Sequence, residues 1–443
     1  MKVKAFFLAI ALWSVDLFFC MCNLLLSASE TSTALMIFSA GMAVIIGFCF
    51  LGRIFLKKMT LTNSELRVMC FPTAILILLL LTMLFRGNSN LAFSTLKCLV
   101  CYAVPMTMLA IVCYDNEAVL YAGRFADFLL LLFDIYFIFI LGRGILTQTD
   151  VRSLQGDMNI GYQSTSYYGA YAFSIGLYAI LFQRQEKRTA KRIVFGIFRI
   201  ATVFLSLIVA IYGSGRGAMV VIVCVFFLLI AMNLKGSKNF GKFMLIAAIS
   251  VIALVVLFRI VSRNSALSRS FDRIYALFGT GNVAYETTSG RTVKYNKCLQ
   301  AFLDSPLIGN GIGYAYYSEI GQPHQMFLEI LVEGGLVYFG IWVYILVSTV
   351  RNLRRIMKMD LAHRSGYIFL TVAFVTQIIG LQFSGFYNQN AMIWFFIAYI
   401  NLRYRYLRSR PQLWAGAEPY PVSDDSNAEP PPTKRAFSAY PKL

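Results

Sequence analysis

The chain has 443 residues, 58% of them hydrophobic and only 14% charged. Apolar runs of about 20 residues recur along it, long enough to cross a hydrocarbon core as helices. Composition therefore excludes an ordinary soluble domain and predicts an all-α, polytopic integral membrane protein. The net charge of +19 does not point to nucleic acid, because most of the excess sits in short loops, where Lys and Arg fix orientation against the cytoplasmic leaflet.

In chain order, the runs predict about twelve transmembrane helices, near 5–26, 34–56, 68–85, 91–113, 118–141, 167–182, 193–211, 218–232, 243–261, 326–350, 367–383 and 391–407. The first follows Lys2 and Lys4 and imitates a signal peptide, but it runs too far for a usual apolar signal core and reads as an uncleaved helix. Basic clusters after spans two, six, eight, ten and twelve all fall on one side if both termini are cytoplasmic. The short loop with Asp115 and Glu117 is the exception, carrying no cation. Eight of the nine cysteines lie in apolar runs, where Cys behaves as a small hydrophobe. Cys298 has no disulfide partner in its loop.

The orientation leaves one large extracytoplasmic loop, 262–325, between spans nine and ten. Leu267, Phe271, Ile274 and Phe278 recur there at helical spacing, and Tyr295, Leu299 and Phe302 repeat the pattern. These are expected as amphipathic helices lying on the membrane surface over the bundle, with a small soluble hairpin as the alternative. The transmembrane bundle with this loop occupies 1–410. The segment 411–443 holds seven of the eleven prolines and reads as a disordered cytoplasmic tail.

Candidate chemistry concentrates near this loop. His324 ends it, just before span ten; an imidazole there can accept a proton from a hydroxyl near neutral pH, or can be a structural interfacial histidine. The other histidine, His363, falls in a basic cytoplasmic loop and is expected as solvated surface. Arg216, within Gly213-Ser214-Gly215-Arg216-Gly217, and Arg291, after Ser289-Gly290, suit phosphate oxygens, against the commoner reading of a lone arginine snorkelling to headgroups. Glu329 and Glu333 share one helix face, facing either a cavity or the headgroup layer. Gln163, Tyr167 and Tyr168 allow sugar contacts, against a reading as interfacial aromatics. Asp16, Lys97, Asp127 and Asp134 lie within spans, as structural ion pairs or as an ion path; the latter keeps a lipid-linked oligosaccharide flippase or other polysaccharide transporter as the alternative function.

The order of these pieces resembles the O-antigen ligase/polymerase superfamily: Gly-Ser-Gly-Arg-Gly, then Ser-Gly-Arg, then Asp304-Ser-Pro-Leu-Ile-Gly-Asn-Gly-Ile-Gly-Tyr314, then Pro-His-Gln-x-Phe-Leu-Glu329, then Glu333-Gly-Gly. Two positions depart from the family pattern: Gly215 stands where a serine is usual, and Gln325 where an asparagine is usual. The resemblance implies an enzyme of the bacterial inner membrane that moves a glycan from an undecaprenyl diphosphate carrier to an acceptor hydroxyl, on a glycan or a lipid-linked molecule, at the outer face. It would serve surface polysaccharide assembly beside other membrane proteins of that process. In that reading Arg216 and Arg291 hold the diphosphate, His324 is the base, and Gln163, Asn310, Tyr314, Gln325, Glu329 and Glu333 contact substrate or orient the imidazole. Arginines that neutralise the diphosphate leave no need for a metal or other cofactor.

Overall fold

The computed structural model describes residues 2–25, 28–56, 61–86, 95–147, 162–183, 190–213, 215–234, 291–321, 323–385 and 387–410. The expected ninth span, the amphipathic run at 267–278, Ser214 and the Pro-rich tail lie outside them. The described residues are helical without a strand: α1 (Lys2–Leu25), α2 (Ala28–Leu56), α3 (Asn63–Arg86), a π-turn (Leu99–Ala103) running into α4 (Val104–Cys113), a 3₁₀ stretch (Glu117–Phe125) running into α5 (Ala126–Thr147), α6 (Tyr162–Phe182), α7 (Ala190–Tyr212), α8 (Arg216–Leu234), α9 (Arg291–Asp304), α10 (Met326–Met359), α11 (Arg364–Gly380) and α12 (Ala391–Arg408).

Among the described residues, seven helical segments are long and apolar enough to cross a membrane: Thr33–Phe55, Asn63–Thr82, Thr95–Cys113, Val119–Gly144, Ile193–Tyr212, Arg216–Asn233 and Met326–Met359. Helices also stand where spans six, eleven and twelve were expected, but with Tyr, Ser, Thr, Gln and Asn among their residues. The reason is position. α6 packs on α5, α7, α8 and α11, and α12 packs on α4 and α10, so these helices meet protein rather than lipid and can bury polar groups that find partners. Small residues allow the closest approach: a Cβ on Gly169 of α6 would stand 2.6 Å from the Ser206 carbonyl and 2.7 Å from the Ala210 nitrogen of α7.

The charges inside the spans are partly structural. Arg199 of α7 grips both Asp127 oxygens of α5 at 2.6 and 2.7 Å, and Thr202 donates to Asp134 at 2.5 Å. Asp127 thus takes the ion-pair reading, with an arginine whose run reads simply as span seven. At the end opposite the large loop, His363 is not solvated surface. It is half-buried and bonds Asp360 through Nδ1 at 2.7 Å, because Asp360 also collects Tyr367 and Arg403. Burial alone would raise the Asp360 carboxyl; the bonds and charges of His363, Tyr367 and Arg403 outweigh it and hold it below its ordinary range.

α10 is two helical halves meeting at Gly335, whose φ of 61° and ψ of −162° are not helical. Such a break frees backbone groups that a membrane interior cannot leave unpaired. The chain after α9 supplies them. Asn310 and Gly311 donate to the freed carbonyls of Val332 and Glu333 at 2.9 and 2.8 Å, while Leu336 and Val337 donate to the carbonyls of Pro306 and Leu307 at 2.8 and 3.2 Å. The Gly-rich bend and the Glu-Gly-Gly motif are two sides of one joint. At Gly309 a Cβ would stand 2.5 Å from the Glu333 carbonyl, so only glycine passes there.

Candidate functional site

His324 sits between this joint and the start of α10. Its φ of 57° makes it the positive-φ residue other than glycine among those described. A side chain with a Cβ visits that region at a cost, so the segment must be held from outside. Three bonds do so. Met326 N donates to the Leu381 carbonyl at 3.0 Å, Gln325 caps α10 by accepting from Leu328 N, and Gln325 Nε2 donates to Gln382 Oε1 at 3.2 Å. The usual asparagine position is thus filled by an amide that bridges α10 to the end of α11.

The imidazole is partly buried, and among the described residues its Nδ1 has no hydrogen-bond partner. Burial pushes its pKa down, and the positive charges of Arg291 and Lys294 push it further, to about 4. At neutral pH it is therefore unprotonated and able to accept a proton.

Arg291 opens the described part of α9 and is half-buried. Its charge acts on both His324 and Tyr167, so it stands between α6 and the start of α10. Arg216 opens α8, also half-buried. The residues beside it fit tightly: a Cβ on Gly217 would stand 2.1 Å from the Tyr167 hydroxyl and 2.4 Å from Phe383 Cβ. The departure at Gly215 has a packing reason, since a Cβ there would meet Ser166 Oγ of α6 at 2.6 Å. Ser166 Oγ accepts from Gly215 N at 3.1 Å, so a serine hydroxyl from α6 occupies that place. Tyr167 is thus shared by the surroundings of both arginines, and the 381–384 turn that packs Phe383 on Gly217 also reaches Gln325.

The other expected site residues divide. Gln163 faces this turn, accepting from Ser384 Oγ at 3.2 Å. Asn310 is engaged by the protein itself, its Nδ2 donating to the carbonyls of Ala301 and Val332 at 2.8 and 3.2 Å. Glu333 is likewise engaged: Gly313 N donates to Oε1 at 2.8 Å and Tyr387 OH to Oε2 at 2.6 Å. It braces the bend, and among the described residues neither oxygen bonds the imidazole. Tyr314 packs on the small core of Cys298, Ala301, Ile320 and Val332 between α9 and α10. Glu329 is fully buried, and its charge reaches Cys298, which removes the headgroup-layer reading for both glutamates. Sequence reasoning missed Lys294, the 381–385 turn with Gln382 and Ser384, and Tyr387 beyond it. The one signal for the turn is an amide-rich run between two apolar segments.

A search of curated proteins returns no match. Residues 201–343, which contain Arg216, Arg291, His324 and both glutamates, match the family model described as O-antigen ligase, and this match supports placing the chain in the O-antigen ligase/polymerase superfamily.

Proposed function

We propose that this protein transfers a glycan from a polyprenyl diphosphate carrier, undecaprenyl diphosphate in bacteria, to an acceptor hydroxyl. The observation that carries the reading is the gathering of two arginines and an unprotonated imidazole from three separate elements at the end of the bundle opposite the basic ends of α10 and α12. By the positive-inside rule those basic ends are cytoplasmic, which puts the site on the outer face and the termini inside.

In the reaction the acceptor oxygen forms a new bond to the anomeric carbon while that carbon's bond to the diphosphate oxygen breaks. The electron pair leaves with the diphosphate, whose growing charge Arg216 and Arg291 stabilise. The acceptor proton passes to His324. A single displacement of this kind inverts the anomeric centre. An imidazole held as low as about 4, first by burial and then by the Arg291 and Lys294 charges, is a weak base in the empty site, but the bound diphosphate opposes the part of that lowering due to the cations. The base therefore strengthens when the donor is in place.

A pH profile reads this directly. The base works only when neutral, and its free-enzyme pKa is lowered, so the acid limb of kcat/KM is expected near 4 rather than near 6.5. The acid limb of kcat, which reports the donor-bound enzyme, should lie at higher pH. Coincident limbs near 6.5 would refute the assigned environment of the base.

Deleting the gene and identifying what accumulates tests the function. Single repeat units passed onward mark a missing polymerase, and long polymer stranded on the carrier marks a missing ligase. Lipid-linked material trapped on the cytoplasmic face would overturn the transfer reading in favour of a flippase.

A further inference from the structure

This inference rests on the glycan-transfer reading and concerns the leaving group's second phosphoryl. α9 is amphipathic, and its buried stripe carries Cys298 and Ala301 against Ile320 and Val332. Continued toward the N-terminus at helical spacing, that stripe passes through Lys294 and Arg291. Two cations thus occupy positions where the packing pattern calls for apolar residues. Lys294 is half-buried there, whereas Asn296 and Lys297 beside it are exposed.

The cationic part of the stripe faces the base. Lys294 Nζ lies 3.6 Å from where a Cβ on Gly321 would stand, three residues before His324. Among the described residues, the charged groups acting on the imidazole are Arg291 and Lys294. Residues three apart on a helix hold their Cβ atoms about 5–6 Å apart, close enough for their heads to reach neighbouring phosphoryl groups of one diphosphate. A guanidinium fork suits one phosphoryl in bidentate fashion, and an ammonium acts as a compact point charge on the next.

We infer that Lys294 is the second cation of a diphosphate clamp on α9, binding the phosphoryl group that Arg291 does not hold. The clamp distinguishes a lipid diphosphate from a lipid monophosphate, and therefore the donor from its hydrolysed carrier.

The test uses the full chain in phosphatidylcholine nanodiscs, with undecaprenyl diphosphate as the probe and undecaprenyl monophosphate and phosphatidylglycerol as comparisons. Loss of one charge-assisted contact should weaken diphosphate binding by roughly tenfold or more in Lys294→Gln, with most of it restored in Lys294→Arg. Monophosphate binding should change far less. With two histidines in the chain, labelled imidazole signals give a second readout. Adding the diphosphate should move the His324 titration upward in the wild type, and Lys294→Gln without ligand should already titrate above the wild type. Equal diphosphate affinity in Lys294→Gln and wild type would overturn the inference and leave the transfer reading standing. Equal weakening for phosphatidylglycerol would overturn it in favour of a headgroup anchor. A wild type that binds no diphosphate would bring down both.

Discussion

Replacing His324 with asparagine is expected to slow glycan transfer by roughly 10²- to 10⁴-fold, the usual contribution of a positioned base, while the protein is still made and inserted. Asparagine is the sharper variant because the residue has a φ of 57°, and Asn tolerates the left-handed region better than most side chains. An amide there cannot take up a proton. The segment around it is held by groups other than the imidazole: Met326 N on the Leu381 carbonyl and Gln325 on Gln382. His324→Ala would mix loss of the base with backbone strain, so the two variants together separate chemistry from folding. The readouts are protein level in the membrane, length and amount of surface glycan, and the single-turnover rate with a lipid-linked donor. A His324→Asn strain with normal protein level and normal glycan would exclude a catalytic imidazole. Loss of glycan with loss of protein in both variants would assign the residue to folding instead.

Parts of this arrangement were legible in the chain itself. Apolar runs announce helices because a bilayer demands them, and the placing of arginines and lysines gives the expectation that His324 is external. The amphipathic repeat through Tyr295, Leu299 and Phe302 becomes α9, but the stripe packed toward α10 runs through Cys298 and Ala301, and Leu299 is exposed. What could not be read was the partnership of distant polar groups. Arg199 sits in a run that looks like any other span, and only the approach of α5 to α7 shows that it neutralises Asp127. Glu333 reads as a carboxylate beside a catalytic histidine, yet its partners are a backbone amide twenty residues earlier and the Tyr387 hydroxyl after α11. Both glutamates repeat at helical spacing, a pattern that gives a shared face but not what lies against it. Gln382 was overlooked for the complementary reason. A neutral amide in a short turn carries no charge signal, and its role appears only when Gln325 is placed beside it.

Gly335→Ala is expected to be among the most damaging single substitutions in the chain, although it adds one methyl group. The added Cβ would lie 2.4 Å from the Leu307 carbonyl carbon and 2.7 Å from Ile308 N. Both are backbone, so neither can swing aside as a long side chain would. The φ of 61° with ψ of −162° is a conformation essentially confined to glycine, which adds about 1–3 kcal/mol on its own. Relief of the clash requires the bend to withdraw from the break in α10. That withdrawal unpairs the amides of Leu336 and Val337 from the carbonyls of Pro306 and Leu307, each group left unpaired away from water in the span costing about 1–3 kcal/mol. The sum reaches several kcal/mol, a large fraction of an ordinary folding free energy. Two neighbours separate the causes. Gly321 has a φ of 64° but only a flexible lysine head near its Cβ position, at 3.6 Å, so Gly321→Ala should suffer conformational strain alone. Gly340 lies in the second half of α10 with nothing within 4 Å of a Cβ, and Gly340→Ala should be neutral or slightly stabilising. Thermal unfolding of the three purified variants should rank Gly335→Ala far below Gly321→Ala, and Gly321→Ala below Gly340→Ala. A Gly335→Ala protein that melts with the Gly340→Ala variant would show that the bend does not thread the helix break. The geometry also gives the joint its functional weight, because the bend that fills the break leads through Gly321 to His324, so the position of the base depends on closure of α10.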